Sequence, residues 1–307
     1  MITKKKDTIE VIGVPMDLGA NIRGSNMGPA AVRIAQLHKK IEVLGYKIKD
    51  EGDLKVPVRE TIEKEFAEEK YLSHIVNICK QLAERTEQAI NQDRIPLSIG
   101  GDHSLAIGSI SGVAKSLHAK NEKLGLIWFD AHADLNTPQT SPSGNIHGMP
   151  LSVLLGEGHP QLCSIGYGGA KVRPENACLI GIRAIDYQER LVCKNIGVKY
   201  FTMRDIDMRG LPKVMEEAIN HASKNTNGIH VSFDIDGIDP MYAPGVSTPV
   251  TGGLSYRESH LALEIIAETK KLISMDFVEL NPMTDRDHKS AHLLVELIQS
   301  LLGKSII

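Results

Sequence analysis

The sequence predicts an α/β fold in which a mainly parallel β-sheet carries helices on both faces. Short apolar runs alternate with longer segments of helical periodicity, an order that favours right-handed crossovers between parallel strands. Several of the apolar runs are continuous, as in strands that are buried on both faces. There is no repeat, low-complexity tract or long Pro/Ser-rich linker, so residues 1–307 are predicted to form a single domain.

The elements are predicted in order along the chain. The first strand covers residues 9–14, and Pro29 then begins a helix whose apolar positions recur every three or four residues until Gly45 ends it. A second helix is expected between about 60 and 91. Further strands are predicted at 95–99, 124–129, 177–182, 199–202, 229–233 and 273–278, and helices at 104–117, 211–223, 257–271 and 290–302.

Composition excludes several classes of function. The chain has 35 basic and 38 acidic side chains, and a formal charge of −3 gives no general attraction for nucleic acid or an anionic membrane. No apolar stretch approaches the roughly 18 residues of a spanning helix, and the basic start at residues 4–6 leads into a strand rather than a signal peptide. The four cysteines form no Cys-x-x-Cys pair. These features predict reduced thiols and a cytoplasmic location.

Polar clusters follow three of the predicted strands: GGDHS at 100–104, DAHAD at 130–134 and DIDGID at 234–239. Each has an ordinary interpretation, because Asp102 or Ser104 could cap the next helix and His103 could be a turn histidine. Ligands of parallel sheets bind outside the carboxyl ends of the strands, where these clusters would meet. Converging carboxylates repel one another and raise one another's pKa values, so a cation is expected among them.

Six residues are candidate metal ligands, and period-two alternation places those of the second and third clusters on one side of each extended segment. Four carboxylates and two neutral imidazoles match two divalent cations better than one. The absence of thiolate favours a harder ion such as Mn²⁺ over structural zinc, although Co²⁺, Ni²⁺, Fe²⁺ and Zn²⁺ remain open. Two such ions can share and activate a water, which predicts hydrolysis. The candidate ligands are His103, Asp130, His132, Asp134, Asp234 and Asp236.

Together these clusters resemble the ureohydrolase family and, within it, the bacterial arginases. The resemblance extends from residues 13–17 and 27–29 to 278–282. It implies an arginase/deacetylase-like fold and hydrolysis of L-arginine to L-ornithine and urea by a metal-bridging hydroxide at a binuclear manganese centre, with Co²⁺ or Ni²⁺ as substitutes. The metal clusters are shared with agmatinases, formiminoglutamases and guanidinobutyrases, so they indicate amidine hydrolysis more firmly than they indicate arginine.

The same resemblance implies a set of substrate and catalytic residues. His147, 13 residues beyond Asp134, would shuttle protons, since an imidazole titrates near neutral pH. Asp134 would orient the hydroxide as well as bind metal, and Glu279 would hold the substrate guanidinium. By composition alone, the stretch 136–150 is a polar loop with turn residues. The resemblance instead implies that this stretch binds substrate. Asn136 and Ser143 would bind the α-carboxylate, Asp186 would bind the α-amino group, and Glu189 would be a weaker second acceptor for that group. The implied substrate-binding set is Asn136, Ser143, Asn145, Asp186, Glu189, Thr248 and Glu279.

Two positions depart from the family pattern. Ser247 stands where a glycine is expected, and serine would be strained if the position needs a positive φ. Ala184 stands where a polar residue is expected, which would loosen recognition of the amino end. Arg257 and Glu258 match a subunit-contact pair, so the resemblance implies a homotrimer or homohexamer. The competing hypotheses are a sister ureohydrolase acting on agmatine and a metal-binding protein that has lost catalysis.

Overall fold

The computed structural model describes residues 7–63 and 70–305. Within these residues eight strands form one sheet in the order β2-β1-β3-β8-β7-β4-β5-β6, and every strand pair is parallel. The predicted fold class is therefore confirmed. The strands are β1 (Thr8–Gly13), β2 (Lys47–Asp53), β3 (Ile95–Ile99), β4 (Gly125–Phe129), β5 (Ala177–Ile182), β6 (Lys199–Thr202), β7 (Ile229–Asp234) and β8 (Leu272–Val278).

Helices connect the strands and cover both faces of the sheet. In the described part of the chain they are α1 (Gly28–Ile34), α2 (Leu37–Glu42), α3 (Leu72–Asn91), α4 (Ala106–His118), α5 (Pro150–Leu154), α6 (Pro160–Cys163), α7 (Tyr187–Asn195), α8 (Met203–Arg209), α9 (Leu211–Ala222), α10 (Tyr256–Glu268) and α11 (Lys289–Leu301). Three-residue 3₁₀ turns lie between several of these elements; His103–Leu105 and Ile146–Gly148 precede helices, and Ile235–Gly237 follows β7.

The strand β2 was not predicted. It lies at one end of the sheet, its sequence is KIKDEGD, and most of its residues are exposed or half-buried. An edge strand needs no apolar side chains on its open side, and charged residues there discourage pairing with other chains. The seven other strands lie at their predicted positions within one or two residues.

The helix predicted from Pro29 to Gly45 is in fact two helices. Gln36 lies between α1 and α2 with a φ of 68°, and the change of direction leaves Ile34 75% exposed. Because the axis turns there, Leu37 and Ile41 are buried in the core while Ile34 faces outward. The helix predicted at about 60–91 begins at Leu72 instead, and residues 64–69 of that prediction lie outside the described residues.

Alternation along each strand divides the core into two layers. On β4, Ile127 and Phe129 belong to a core cluster that includes residues of α1, α2, α9, α10 and α11, whereas Leu126 and Trp128 belong to a cluster on the opposite face that includes residues of α4 and α5. With both faces buried, most side chains within the strands are apolar, and most of the charged and polar side chains that could reach a ligand follow the strand ends. None of the described helices is long and apolar enough to cross a lipid bilayer.

Candidate active site

The sheet order brings the three polar clusters together. The strands β3, β8, β7, β4 and β5 are consecutive neighbours, and the segments that follow them carry the GGDHS cluster, Glu279, the DIDGID cluster, the DAHAD cluster and Asp186. In a parallel sheet these carboxyl ends share one edge, where ligands of α/β proteins bind.

His103 is the centre of the first group of candidate ligands. Its Nδ1 lies 3.2 Å from Oδ2 of Asp130, 3.2 Å from Oδ2 of Asp134 and 3.2 Å from Oδ2 of Asp234. All four side chains are buried. We call these four residues the His103 set.

His132 is the centre of a second group. Its Nδ1 lies 3.3 Å from Oδ1 of Asp130 and 3.1 Å from Oδ2 of Asp236. We call these three residues the His132 set. Asp130 belongs to both sets and presents a different oxygen to each, so its carboxylate bridges them. The six residues singled out in the sequence are thus gathered into two adjacent sets of nitrogen and oxygen atoms.

The His103 set has the chemistry that a metal ion requires. The Nδ1 of His103 is buried and has no partner in hydrogen-bond geometry, although three carboxylate oxygens surround it. Its other ring nitrogen, Nε2, lies 2.9 Å from the Ser232 hydroxyl. A buried polar atom without a partner is costly, and a cation bound among these atoms would remove that cost. The residues fit a divalent ion.

The pKa values show how strongly these groups interact. Burial and the Asp130 carboxylate raise the pKa of Asp134 to about 6. Burial would lower the pKa of His132, but Asp130 and Asp236 outweigh it and raise the value to about 12. Burial would raise the pKa of Asp130, but His103 and His132 hold it below its usual range. The imidazolium groups thus balance the carboxylates, and a metal bound by the same nitrogens would displace their protons.

The backbone around the site is closely constrained. Gly100 and Gly101 both have a φ of 79°, and a Cβ on Gly100 would lie 2.1 Å from Cδ of Pro29. Only glycine can occupy this turn. Asp134 and Glu279 also have positive φ values, 53° and 62°. Non-glycine residues in this region store local strain, and such strain is concentrated at functional sites.

His147 and Glu279 form a pair beside the His103 set. The Nδ1 of His147 lies 3.0 Å from Oε1 of Glu279, which also accepts a hydrogen bond of 2.9 Å from the backbone N–H of His103. The other oxygen of Glu279, Oε2, is buried and has no partner. Burial would lower the pKa of His147, but Glu279 raises it to about 9, and His147 in turn lowers the pKa of Glu279 despite its burial. The unpaired Oε2 can accept from a cationic donor.

The position of His147 is fixed through its backbone. The N–H of His147 donates to the carbonyl of Gly19 (3.1 Å), and the N–H of Gly19 donates to Asp102 (2.8 Å). Asp102 also accepts from the backbone N–H of Ser104 and caps the 3₁₀ turn. Asp102 therefore caps the turn that follows it, as the sequence allowed. It also binds Gly19, whose carbonyl in turn accepts the hydrogen bond from His147.

A cavity of about 210 Å³ extends away from the two sets. The predicted substrate residues line it, except Glu279, together with His147 and five of the six candidate ligands. The predicted substrate residues that line the cavity are Asn136, Ser143, Asn145, Asp186, Glu189 and Thr248.

Several of these cavity residues are bonded to one another. Asn136 donates from Nδ2 to Oδ2 of Asp186 (2.8 Å), which uses one of its two amide N–H groups. Asp186 and Glu189 form a capping box at the start of α7. Burial and Asp134 raise the pKa of Glu189 to about 7. The Thr248 hydroxyl donates to Oδ2 of Asp236 (2.9 Å) and so also touches the His132 set.

Ser247 is unstrained, contrary to the concern raised by the sequence. It is not among the positive-φ residues, and its hydroxyl accepts a hydrogen bond of 3.0 Å from the Asn281 amide. Ala184 lines the cavity and offers no polar group there. Within the single chain, Arg257 pairs with Glu264, and Glu258 forms a capping box with Ser255 at the start of α10.

Sequence reasoning missed a buried layer beneath His103. Trp128 stacks on the His103 ring, and Asp276 accepts a hydrogen bond of 2.5 Å from Ser232 and lies 2.8 Å from Nε2 of His230. A signal was present, because His230 and Ser232 precede Asp234 at period two and therefore share its side of β7.

The chain is similar to known proteins along nearly its whole length. The model of the arginase family matches residues 7–303. An arginase of Brevibacillus brevis is 49% identical over 302 residues, covering 97% of this chain and 99% of its own length. The native structure of arginase from Bacillus caldovelox has a TM-score of 0.93 at 45% identity, covering 98% of this chain and all of that one. The arginase of Entamoeba histolytica in complex with L-ornithine has a TM-score of 0.88 at 32% identity, covering 97% of this chain and 98% of that one.

Proposed function

This chain belongs to the arginase family, and from that membership we propose that it hydrolyses L-arginine to L-ornithine and urea at a pair of manganese ions. The observation that carries the proposal is the bridging position of Asp130, whose two oxygens face two different histidine nitrogens. A carboxylate placed in this way can join two divalent ions, as two-metal hydrolases require.

The donor set supports manganese as the resident metal. The His103 and His132 sets offer only carboxylate oxygens and imidazole nitrogens, which suit Mn²⁺ and also admit Co²⁺ or Ni²⁺. The partnerless Nδ1 of His103 gives independent support for a bound ion. When bound, such a pair supplies Lewis acidity that lowers the pKa of a shared water towards neutrality.

Glu279 and His147 are proposed to bind the guanidinium and to move its protons. A planar guanidinium can donate two parallel hydrogen bonds to a carboxylate, and the buried, unpaired Oε2 of Glu279 is a suitable acceptor. His147 shares the other oxygen of Glu279, which places an imidazole at the same group. Its pKa of about 9 keeps it protonated at neutral pH, ready to donate to the departing amine. Asp134 faces the same volume and is proposed to orient the attacking water.

The far end of the cavity is proposed to bind the α-amino acid group. Asp186 is an acceptor for an ammonium, and the free N–H of Asn136 and the hydroxyl of Ser143 are neutral donors for a carboxylate. Asn145, Glu189 and Thr248 complete the predicted substrate-binding set, with Glu189 as the weaker second acceptor.

Urea release from L-arginine and from agmatine, measured on purified protein loaded with Mn²⁺ and with its metal counted, tests the proposal. Agmatine lacks the carboxylate that Asn136 and Ser143 would bind, so we expect a clear preference for arginine. Equal or better activity on agmatine would contradict the substrate assignment and favour a sister ureohydrolase. A folded protein with two metals that releases no urea from any guanidine would instead identify a metal-binding protein without catalysis.

The remaining proposals concern assembly and location. We propose that residues 1–307 form one domain, that the chain assembles as a homotrimer or homohexamer, and that it works in the cytoplasm on a small-molecule substrate rather than on nucleic acid or membrane. The four unpaired cysteines agree with a reducing compartment. Light scattering on the purified protein would separate the trimer from the hexamer and either from a monomer.

A further inference from the structure

Trp128 contacts two members of the His103 set with one side chain. Its indole stacks on the His103 ring with the centroids 4.0 Å apart and the planes 10° from parallel. Its Nε1–H donates a hydrogen bond of 3.0 Å to Oδ2 of Asp130, the oxygen that faces His103. The side chain is fully buried. Each interaction restrains the orientation of one candidate ligand.

The register of the sheet explains why Trp128 reaches both ligands. Trp128 on β4 pairs with Ser232 on β7, and Ser232 pairs with Asp276 on β8. The three side chains thus form a row beneath His103. The Ser232 hydroxyl contacts Nε2 of His103. Trp128 stacks on the His103 ring and donates a hydrogen bond to the Asp130 carboxylate.

The His132 set has a corresponding donor, which provides a matched comparison. The Thr248 hydroxyl donates to Oδ2 of Asp236, the oxygen that lies 3.1 Å from Nδ1 of His132. Each set therefore has one side-chain hydrogen-bond donor on a carboxylate oxygen that faces its histidine. The two donors differ in chemistry and lie on different segments, so each can be removed without touching the other.

From these contacts we propose that Trp128 is a positioning residue that selectively strengthens metal binding by the His103 set. The inference rests on the proposed function, because it takes the two sets as metal sites. Removal of an outer hydrogen-bond partner typically lowers metal affinity by about 10–100-fold. Trp128→Phe keeps an aromatic ring against His103 but removes the indole N–H, so we expect the free Mn²⁺ needed to half-fill the His103 set to rise by about 10–100-fold.

The experiment measures Mn²⁺ binding in two backgrounds that each disable one set. In His132→Asn, where the His103 set remains, Trp128→Phe should weaken the remaining binding by that factor. In His103→Asn, where the His132 set remains, Trp128→Phe should weaken the binding much less, because the indole contacts the Asp130 oxygen that faces His103 and not the one that faces His132. Thr248→Val should give the opposite pattern. Equal weakening by Trp128→Phe in both backgrounds, as a general loss of core packing would produce, overturns the proposal, as does no weakening in either.

Because Trp128 is the only tryptophan of the sequence, its fluorescence reports on this site directly. Co²⁺ should quench the emission in the wild-type protein and in His132→Asn, and much less in His103→Asn at the same occupancy. Quenching that follows the His132 set instead would contradict the assignment. If Trp128→Phe does not fold, the protein can be produced in a tryptophan auxotroph that is supplied with benzothienylalanine. This amino acid then replaces Trp128 alone, with a ring of nearly equal shape that lacks the N–H. The same shift in Mn²⁺ affinity is expected.

The wild-type protein keeps the two conclusions separable. Failure of the wild type to bind two metals would contradict the proposed function. Two metals in the wild type, together with unchanged binding in Trp128→Phe, would contradict only the role of Trp128.

Discussion

The pair formed by His147 and Glu279 leads to a quantitative prediction. The change Glu279→Gln keeps the shape of the side chain and removes its charge. In the wild-type protein Glu279 outweighs burial and raises the pKa of His147 from 6.5 to about 9, a displacement that corresponds to about 3 kcal/mol of preference for the imidazolium. Without the Glu279 carboxylate the pKa of His147 should fall from about 9 towards its ordinary value, because only the weaker attraction of Asp102 and Asp134 then opposes burial.

The same displacement predicts how stability depends on pH. The pKa of His147 is raised in the folded state, so its stabilising contribution is fully present below pH 6.5 and is lost as pH rises through about 9. Between these limits the free energy of unfolding of the wild type should fall by up to about 3 kcal/mol relative to that of Glu279→Gln, and by less to the extent that Asp102 and Asp134 share in the displacement. Urea unfolding of the metal-free proteins across this pH range measures the difference.

Proton NMR of the histidine ring measures the pKa directly, with the His147 signal identified by its loss in His147→Asn. Glu189→Gln is the matched control, because Glu189 is a buried carboxylate of the same cavity whose hydrogen bonds do not involve His147. It should leave the pKa of His147 unchanged. A wild-type pKa near 6.5, or the same value in the wild type and Glu279→Gln, would refute the reasoning.

Three further predictions concern metal binding and packing. Asp130→Ala removes the carboxylate shared by both sets, so it should abolish urea release and lower the metal content. Two ions per chain in this variant would contradict the bridging role of Asp130. Ser247→Ala removes a buried hydrogen-bond acceptor and should lower the free energy of unfolding by about 1 kcal/mol in urea titrations; an unchanged midpoint would show that the hydroxyl contributes nothing. Gly112→Ala places a Cβ 2.0 Å from the carbonyl oxygen of Ala83 and should destabilise the protein by about 1–3 kcal/mol. Gly168→Ala, where nothing lies within 4 Å, is its control, and equal thermal midpoints of the two variants would contradict the packing argument.

The local sequence pattern was sufficient to predict the buried strands. It did not predict the elements whose structure depends on tertiary packing or on polar contacts. β4 is a continuous apolar run, and burial on both faces leaves few alternatives for such a segment. β2 has no such signal because only its position at the edge of the sheet makes it a strand. The short helices α7 and α8 begin at capping boxes that the sequence displays, but each is too short for periodicity to indicate it.

The candidate site divides in the same way. The sequence by itself determined the six metal-ligand candidates, because their residue types, their positions after predicted strands and, for five of them, their period-two spacing follow directly from the chain. It could not determine that Asp130 faces both histidines, that Asn136 is bonded to Asp186, or that Trp128 underlies His103. Those contacts join residues from different strands and loops, and the order and register of the strands bring them within reach. The local sequence therefore determines which side chains can bind a metal. Which of them lie next to one another depends on how the strands are ordered in the folded sheet.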